Sequence, residues 1–255
     1  MIDIGLQTFT IRKAQKKDIK SAYLPLIKSG ISRFEVSRMD FTEANAEALR
    51  ELINEYGIEI VSLQVKPKYV FGHFDEVVDF AHCVGCKSVV LSQLPFPCVL
   101  GSEKKFFDFI STLDDWYDRY EKEGITLAYH HHHWEYVTLS TGKTRMKELL
   151  SRTEKIKLVH DTYWTARCGM DPVVQMREMG ERLLGVHLRD LTLHKKGLDV
   201  IAKNCPIGDG VIDFSRVLRE LETLGIPYAV VEQNTDSPYR DIEKSLRHLK
   251  AITES

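Results

Sequence analysis

The chain has no run of about 18 apolar residues, the length a membrane-spanning helix needs, so no transmembrane helix is expected in its 255 residues. It has only five cysteines, an odd number in a chain too long to need disulfide staples, which fits a reducing cytoplasm. It also lacks an excess of either charge. Lys and Arg total 35 against 37 Asp and Glu, a formal net charge of −2. No partner held by phosphate neutralisation is therefore expected, which sets nucleic acid aside. No basic-then-apolar leader opens the chain, because Ile2-Asp3-Ile4-Gly5-Leu6 already alternates like a strand. A Gly-x-Ser-x-Gly elbow is missing, so a serine hydrolase is not indicated. Cys83-Val84-Gly85-Cys86 has no second cysteine pair and reads as a helix end at Gly85 rather than a zinc or redox motif. What is present is an ordinary globular mixture, 43% apolar and 28% charged, able to bury roughly three quarters of its unfolded surface. These features predict a soluble, cytoplasmic, single-domain protein over residues 1–255.

Short β-rich runs alternate with longer amphipathic ones. Strands are predicted at 2–7, 33–36, 58–65, 88–91, 125–130, 156–159, 183–188 and 228–231. Helices are predicted between them, through Ile19, Leu24, Leu26 and Ile27 to a stop at Gly30, over Glu43 to Tyr56, and from about His73 to Val84. Further helices run from about Glu103 to Glu123, over Thr144 to Leu150, from Asp171-Pro172, over Asp213 to Leu224, and over Asp241 to Ile252. The segment around Lys195, Lys196 and Gly197 reads as irregular, and its lysines as a solvated loop rather than a phosphate clamp. Eight strand-then-helix units of about 32 residues each imply a parallel sheet, and their number implies a closed (β/α)8 TIM barrel. The doubly wound alternative would carry a Gly-rich loop after its first strand, where this chain has Gln7-Thr8-Phe9-Thr10-Ile11-Arg12.

Barrel enzymes place their chemistry at the C-terminal ends of the strands. Here those ends are Gln7, Glu35, Gln64, Ser92 with Gln93, His130, Asp161, His187 with Arg189, and Glu232 with Gln233. Any one of them is ordinary strand-to-loop polarity; eight of eight is a pattern. The last four strands end in His, Asp, His and Glu, the ligand types that suit one divalent ion such as Mn²⁺, Zn²⁺ or Co²⁺. His130, Asp161, His187 and Glu232 are therefore expected around a metal at the barrel mouth. Strand alternation gives His130 and His132 one direction, and His187 and Arg189 another shared face. His131 and His133 are assigned to a solvated loop.

The chain also resembles a known group over essentially its whole length. The resemblance is carried by Gly5-Leu6-Gln7-Thr8-Phe9-Thr10, Tyr129-His130-His131-His132, Asp161-Thr162-Tyr163-Trp164 and Gly169-Met170-Asp171-Pro172. It continues in His187-Leu188-Arg189-Asp190, Gly208-Asp209-Gly210-Val211-Ile212-Asp213 and Glu232-Gln233. In this order the segments resemble the xylose-isomerase-like barrel superfamily of sugar (phosphate) isomerases and epimerases, which also includes inosose dehydratases and the divergent endonuclease IV. The resemblance implies the same four metal ligands. Many of the epimerases carry a glutamate where this chain has His130, and often a histidine where it has Trp164.

The resemblance further implies proton abstraction next to a carbonyl of a keto-sugar or polyol, through a metal-stabilised enediolate. Glu232 is the expected base and His130 or His132 the partner acid, while Gln7, Glu35, Trp164 and Arg189 would hold hydroxyls or stack on the sugar. The alternative is a lyase of the inosose dehydratase type. DNA repair like endonuclease IV would need more zinc ligands and a basic face, and a non-catalytic sugar-binding barrel would hold no stoichiometric metal. A homo-oligomer is compatible with the relatives.

Overall fold

The computed structural model describes residues 3–197 and 199–254, so Ile2, at the predicted start of the first strand, lies outside them. Among the described residues ten strands form: β1 (Ile4–Gln7), β2 (Arg33–Ser37), β3 (Glu59–Val65), β4 (Ser88–Leu91), β5 (Thr126–His130), β6 (Lys157–Asp161), β7 (Leu183–Leu188), β8 (Asp190–Lys196), β9 (Asp199–Cys205) and β10 (Tyr228–Val231). Eight of them close into a barrel in the order β1-β10-β7-β6-β5-β4-β3-β2, and every neighbouring pair is parallel. This is the (β/α)8 TIM barrel that the alternation predicts.

Period-two alternation sorts each strand into two cores. Outward residues such as Leu127, Tyr129, Leu158, Val186, Leu188, Ala229 and Val231 belong to the large core packed under the helices. Inward residues Val61, Val90, Ala128, Val159, Tyr228 and Val230 form a small separate core that fills the barrel. This inner core is mostly aliphatic, and the next inward residue up each strand meets the mouth. On β5, β6, β7 and the end of β10 that residue is His130, Asp161, His187 and Glu232. Gly185 on β7 makes room for this arrangement, since a Cβ there would fall 2.2 Å from the Tyr228 ring.

Two predicted elements differ. The single helix expected from about Glu103 to Glu123 is two helices, Glu103–Ile110 and Leu113–Glu121. Between them the Ser111 and Thr112 hydroxyls donate to the carbonyls of Asp108 and Phe109, three residues back, diverting the backbone from a continuous helix. The supposed irregular segment after β7 is an antiparallel hairpin, β8 paired with β9 from Asp190↔Cys205 to Lys196↔Asp199. Its base is pinned by the buried Asp190, whose Oδ1 accepts from the amides of Leu191 (2.8 Å) and Ile212 (3.2 Å) and whose Oδ2 accepts from Gly208 and Gly210 (both 3.0 Å). A side chain at Gly210 would collide with that carboxylate. The other predicted helices form within a few residues of their expected bounds, short unpredicted ones such as Pro67–Gly72 and Thr162–Arg167 join them, and the helix Phe74–Cys83 stops before Gly85, leaving Cys83 exposed and Cys86 buried without a disulfide.

Candidate metal centre at the barrel mouth

His130, Asp161, His187 and Glu232 are all buried, and one ligand-type atom from each lies within 4.8 Å of the others. Their strands are consecutive around the ring, so alternation and parallel register bring the four together. The tautomer of His130 is set from outside the cluster. Its Nδ1 donates to the Ser92 carbonyl at 3.3 Å, which leaves the Nε2 lone pair facing Asp161 Oδ2 at 3.5 Å. His187 is oriented in the same manner by Glu35, whose Oε1 stands 2.7 Å from its Nε2, so Nδ1 points at Glu232 Oε2 at 2.9 Å. Asp161 accepts the Trp164 amide on Oδ1 at 3.0 Å, and Arg189 reaches both Asp161 and Glu232 at 3.1 Å.

Burial alone would disfavour charge on each of these groups, and the neighbours outweigh it. Asp161 and Glu232 are driven below the usual carboxylate range by Arg189, with His130 and His187 helping the first and His187 the second. Burial lowers His187, yet the charges of Glu35 and Glu232 push it up to about 10. Glu35 is held ionised chiefly by His187, against its own desolvation. His132 falls well below its ordinary value through burial first and the neighbouring His130 second.

Native interiors pair their polar atoms. Among the described residues His130 Nε2, His187 Nδ1 and Glu232 Oε2 are buried without a well-aligned hydrogen bond, and so are His187 Nε2 and Glu35 Oε1 despite their 2.7 Å approach. Two imidazole nitrogens and a carboxylate oxygen left unfilled, with Asp161 Oδ2 beside them, fit a divalent ion of borderline softness. A carboxylate behind a ligand histidine, the place of Glu35 behind His187, is the usual outer-shell partner of such sites.

Above the cluster opens a cavity of about 660 Å³. His130, His132, Trp164, Arg189 and Glu232 line it, while Asp161 and His187 lie beneath. Trp164 Nε1, His132 Nδ1 and Arg189 Nε are also without partners. Gln7 and Glu35, expected to touch a sugar hydroxyl, occupy different places. Neither lines the cavity, because the pleat of β1 and β2 turns both into the barrel below its mouth. Gln7 donates to Gln64 at 2.9 Å, and Gln64 reaches the wall in its stead. Glu35 accepts from Ser62 (2.6 Å) and Tyr228 (2.9 Å) while holding His187.

His131 also departs from expectation: it is 1% exposed rather than solvated. Its Nε2 accepts from the Asp161 amide (3.0 Å) and from His160 Nδ1 (3.1 Å), so it braces the strand that carries Asp161. Burial pushes it down to about 3 and keeps it neutral. His133 is half-buried against Trp134 and Trp164. Sequence reading missed Ser62, Tyr228 and the buried Glu135, which takes the Tyr129 hydroxyl and the His132 amide and so fixes the turn carrying His132. Only Glu135, a carboxylate inside an aromatic-rich loop, offered a signal. It also missed Lys203 and Asn204, which reach the cavity from the unpredicted hairpin.

Fold and cluster together define a (β/α)8 barrel with a candidate metal centre at the C-terminal ends of its strands. The chain belongs to the xylose isomerase-like TIM barrel family, which it matches over residues 26–252. It is 25% identical over 206 residues to an inosose dehydratase of Lacticaseibacillus casei, a match covering 68% of this chain and 67% of that protein. Among solved structures it superposes on a sugar phosphate isomerase/epimerase from Parabacteroides distasonis with a TM-score of 0.80, at 17% identity, covering 98% of each chain. It also superposes on the IolI protein, solved with a zinc atom bound, with a TM-score of 0.64 at 17% identity, covering 99% of this chain and 96% of that one.

Proposed function

We propose that the chain is a divalent-metal-dependent isomerase or epimerase of a keto-sugar or related polyol. The observation that carries this reading is the convergence of four ligand-type side chains, three with unfilled buried atoms, on the floor of a cavity sized for a small molecule. His130, Asp161, His187 and Glu232 would hold the ion. When bound, the ion supplies Lewis-acid polarisation of neighbouring carbonyl and hydroxyl oxygens.

The chain's own groups supply the rest. Glu232 is ionised and reaches the cavity, and Arg189 fixes its Oε1 from one side at 3.1 Å. That carboxylate takes the carbon-bound proton next to the carbonyl, exchanges it with solvent, and delivers a solvent proton to the adjacent carbon. His132, presented by the turn that Glu135 fixes and kept neutral by burial, is the partner acid on the other side, donating its ring N–H to the substrate oxygen. Trp164 offers an aromatic face and an unfilled indole N–H to a hydroxyl.

A second reading, loss of water from a keto-polyol, is favoured by His130. With an imidazole where many epimerases carry glutamate, Glu232 is the carboxylate left at the cavity floor. One carboxylate suffices for elimination, because the proton it removes is then at hand for the departing hydroxyl. The similarity to an inosose dehydratase supports this reading.

One experiment tests both. Metal-loaded protein is incubated with ketohexoses and keto-inositols in D₂O and the products are weighed. Unchanged formula with one solvent deuterium incorporated supports isomerisation or epimerisation, and loss of one water supports the lyase. Neither change with any substrate overturns proton abstraction as the chemistry of this site.

A further inference from the structure

The proposed chemistry leaves unused the cations higher in the cavity. Arg38, Lys66, Arg167 and Lys203 all line it. Among the described residues none of the four sits within ion-pair distance of a carboxylate, whereas other surface cations such as Lys155, Arg177 and Lys244 do. The lining carboxylates are Asp40 and Glu232, and Glu232 is committed below to His187 and Arg189. In a chain of net charge −2 this local excess is not a by-product of overall basicity.

Topology shows how the excess is arranged. Arg38 directly follows β2 and Lys66 directly follows β3, on neighbouring strands. Across the ring, β6 stands opposite β2 and β7 opposite β3. β6 leads into the helix Thr162–Arg167, and β7 into the hairpin bearing Lys203. Arg38 has a φ of 58°, alone among the described non-glycine residues in being positive. Its guanidinium lies 5.5 Å from the Phe9 ring centroid, and that of Arg12 lies 3.9 Å from the same ring. Two guanidinium groups thus converge on one ring of the cavity wall, and the backbone is strained to put one of them there. Like charges that outnumber the carboxylates around them form a field that attracts an anion, and guanidinium matches the oxygens of phosphate or carboxylate.

We propose that the substrate carries an anionic group, a phosphate ester or a carboxylate, away from its reacting carbons, and that Arg38 and Lys66 hold that group. Arg167 and Lys203 add to the field from the facing wall. The proposal rests on the cavity being the keto-sugar site.

Its test is calorimetric titration of the metal-loaded protein with a ketohexose, the terminal phosphate ester of that sugar, and the corresponding keto-uronate. At low salt at least one anion is expected to bind about tenfold or more tightly than the neutral sugar, and the gap narrows as salt is added. The phosphate and uronate arms show which anion is meant. Arg38→Gln with Lys66→Gln removes the preference, Arg38→Lys keeps it, and Arg167→Gln with Lys203→Gln reduces it only a few-fold. Metal content of each variant reports that the barrel is intact. Equal binding of all three sugars overturns the proposal, and so does a preference that survives the Arg38/Lys66 pair or follows the Arg167/Lys203 pair. An anion preference without deuterium exchange in any sugar defeats the isomerase reading alone. Exchange without the preference defeats this one alone.

Discussion

His187 and Asp190 stand three residues apart, both fully buried, and their surroundings are opposite. Asp190 is surrounded by backbone: four amides fill its two oxygens, and nothing is left for a ligand to take. His187 is surrounded by side chains whose own lone pairs are unfilled. Burial and residue type do not separate a strut from a candidate ligand here. The kind of partner does, because rigid backbone donors complete a carboxylate, whereas converging imidazoles and carboxylates only crowd one another until something positive joins them.

The largest expected effect that sharpens this contrast is at Glu232. Glu232→Gln is expected to lower turnover about 10²- to 10⁴-fold, measured as solvent-deuterium exchange into substrate at saturating metal. Full turnover in a metal-bearing variant would remove Glu232 as the base. Next comes pH. His187 without metal is pushed up to about 10, while an ion requires its neutral ring. Below that value the bound proton competes, so apparent metal affinity falls about tenfold for each unit of pH lost on this proton alone. Calorimetry in two buffers of different ionisation enthalpy should show proton release at neutral pH. Affinity that stays flat with pH would exclude His187 from the ligand set.

A smaller effect is expected behind the cluster. Glu35→Gln keeps the size but loses the charge that orients His187, and metal affinity should fall about 10- to 100-fold in competition with a chelator. Unchanged affinity would return Glu35 to a purely structural place under Tyr228. At the other pole, Asp190→Asn should leave metal stoichiometry untouched. It should still cost about 1–3 kcal/mol of stability, seen as a lowered melting temperature. Loss of metal from that variant would break the distinction between the two residues.

The fold was legible because barrel strands announce themselves twice, by apolar runs and by the polar residue that ends each one. The convergence of His130, Asp161, His187 and Glu232 was legible for the same reason: register in a parallel barrel aligns strand ends, so position along each strand stands for position in space. What was illegible depended on depth and on distant partners. Gln7 ends its strand just as His130 does, and Glu35 stands two residues short of the end of β2, yet both sit lower in the barrel, and no local pattern reveals that. His131 reads as a loop histidine until His160, on the next strand, is seen to pair with it. The hairpin escaped because Asp190-Leu191-Thr192-Leu193-His194-Lys195-Lys196 alternates with too few apolar residues to stand out from a loop. Its leucines do not share one environment either: Leu191 is buried and Leu193 is exposed.

The hairpin has one more consequence. Among the described residues β8 and β9 pair only with each other, and one carboxylate at Asp190 fastens their base, while Lys203 and Asn204 stand in the cavity wall. The hairpin could thus be lengthened, shortened or rewritten without moving any barrel strand out of register. It is an interchangeable part, through which the cavity's shape and charge can be altered while the four-residue cluster beneath keeps its geometry.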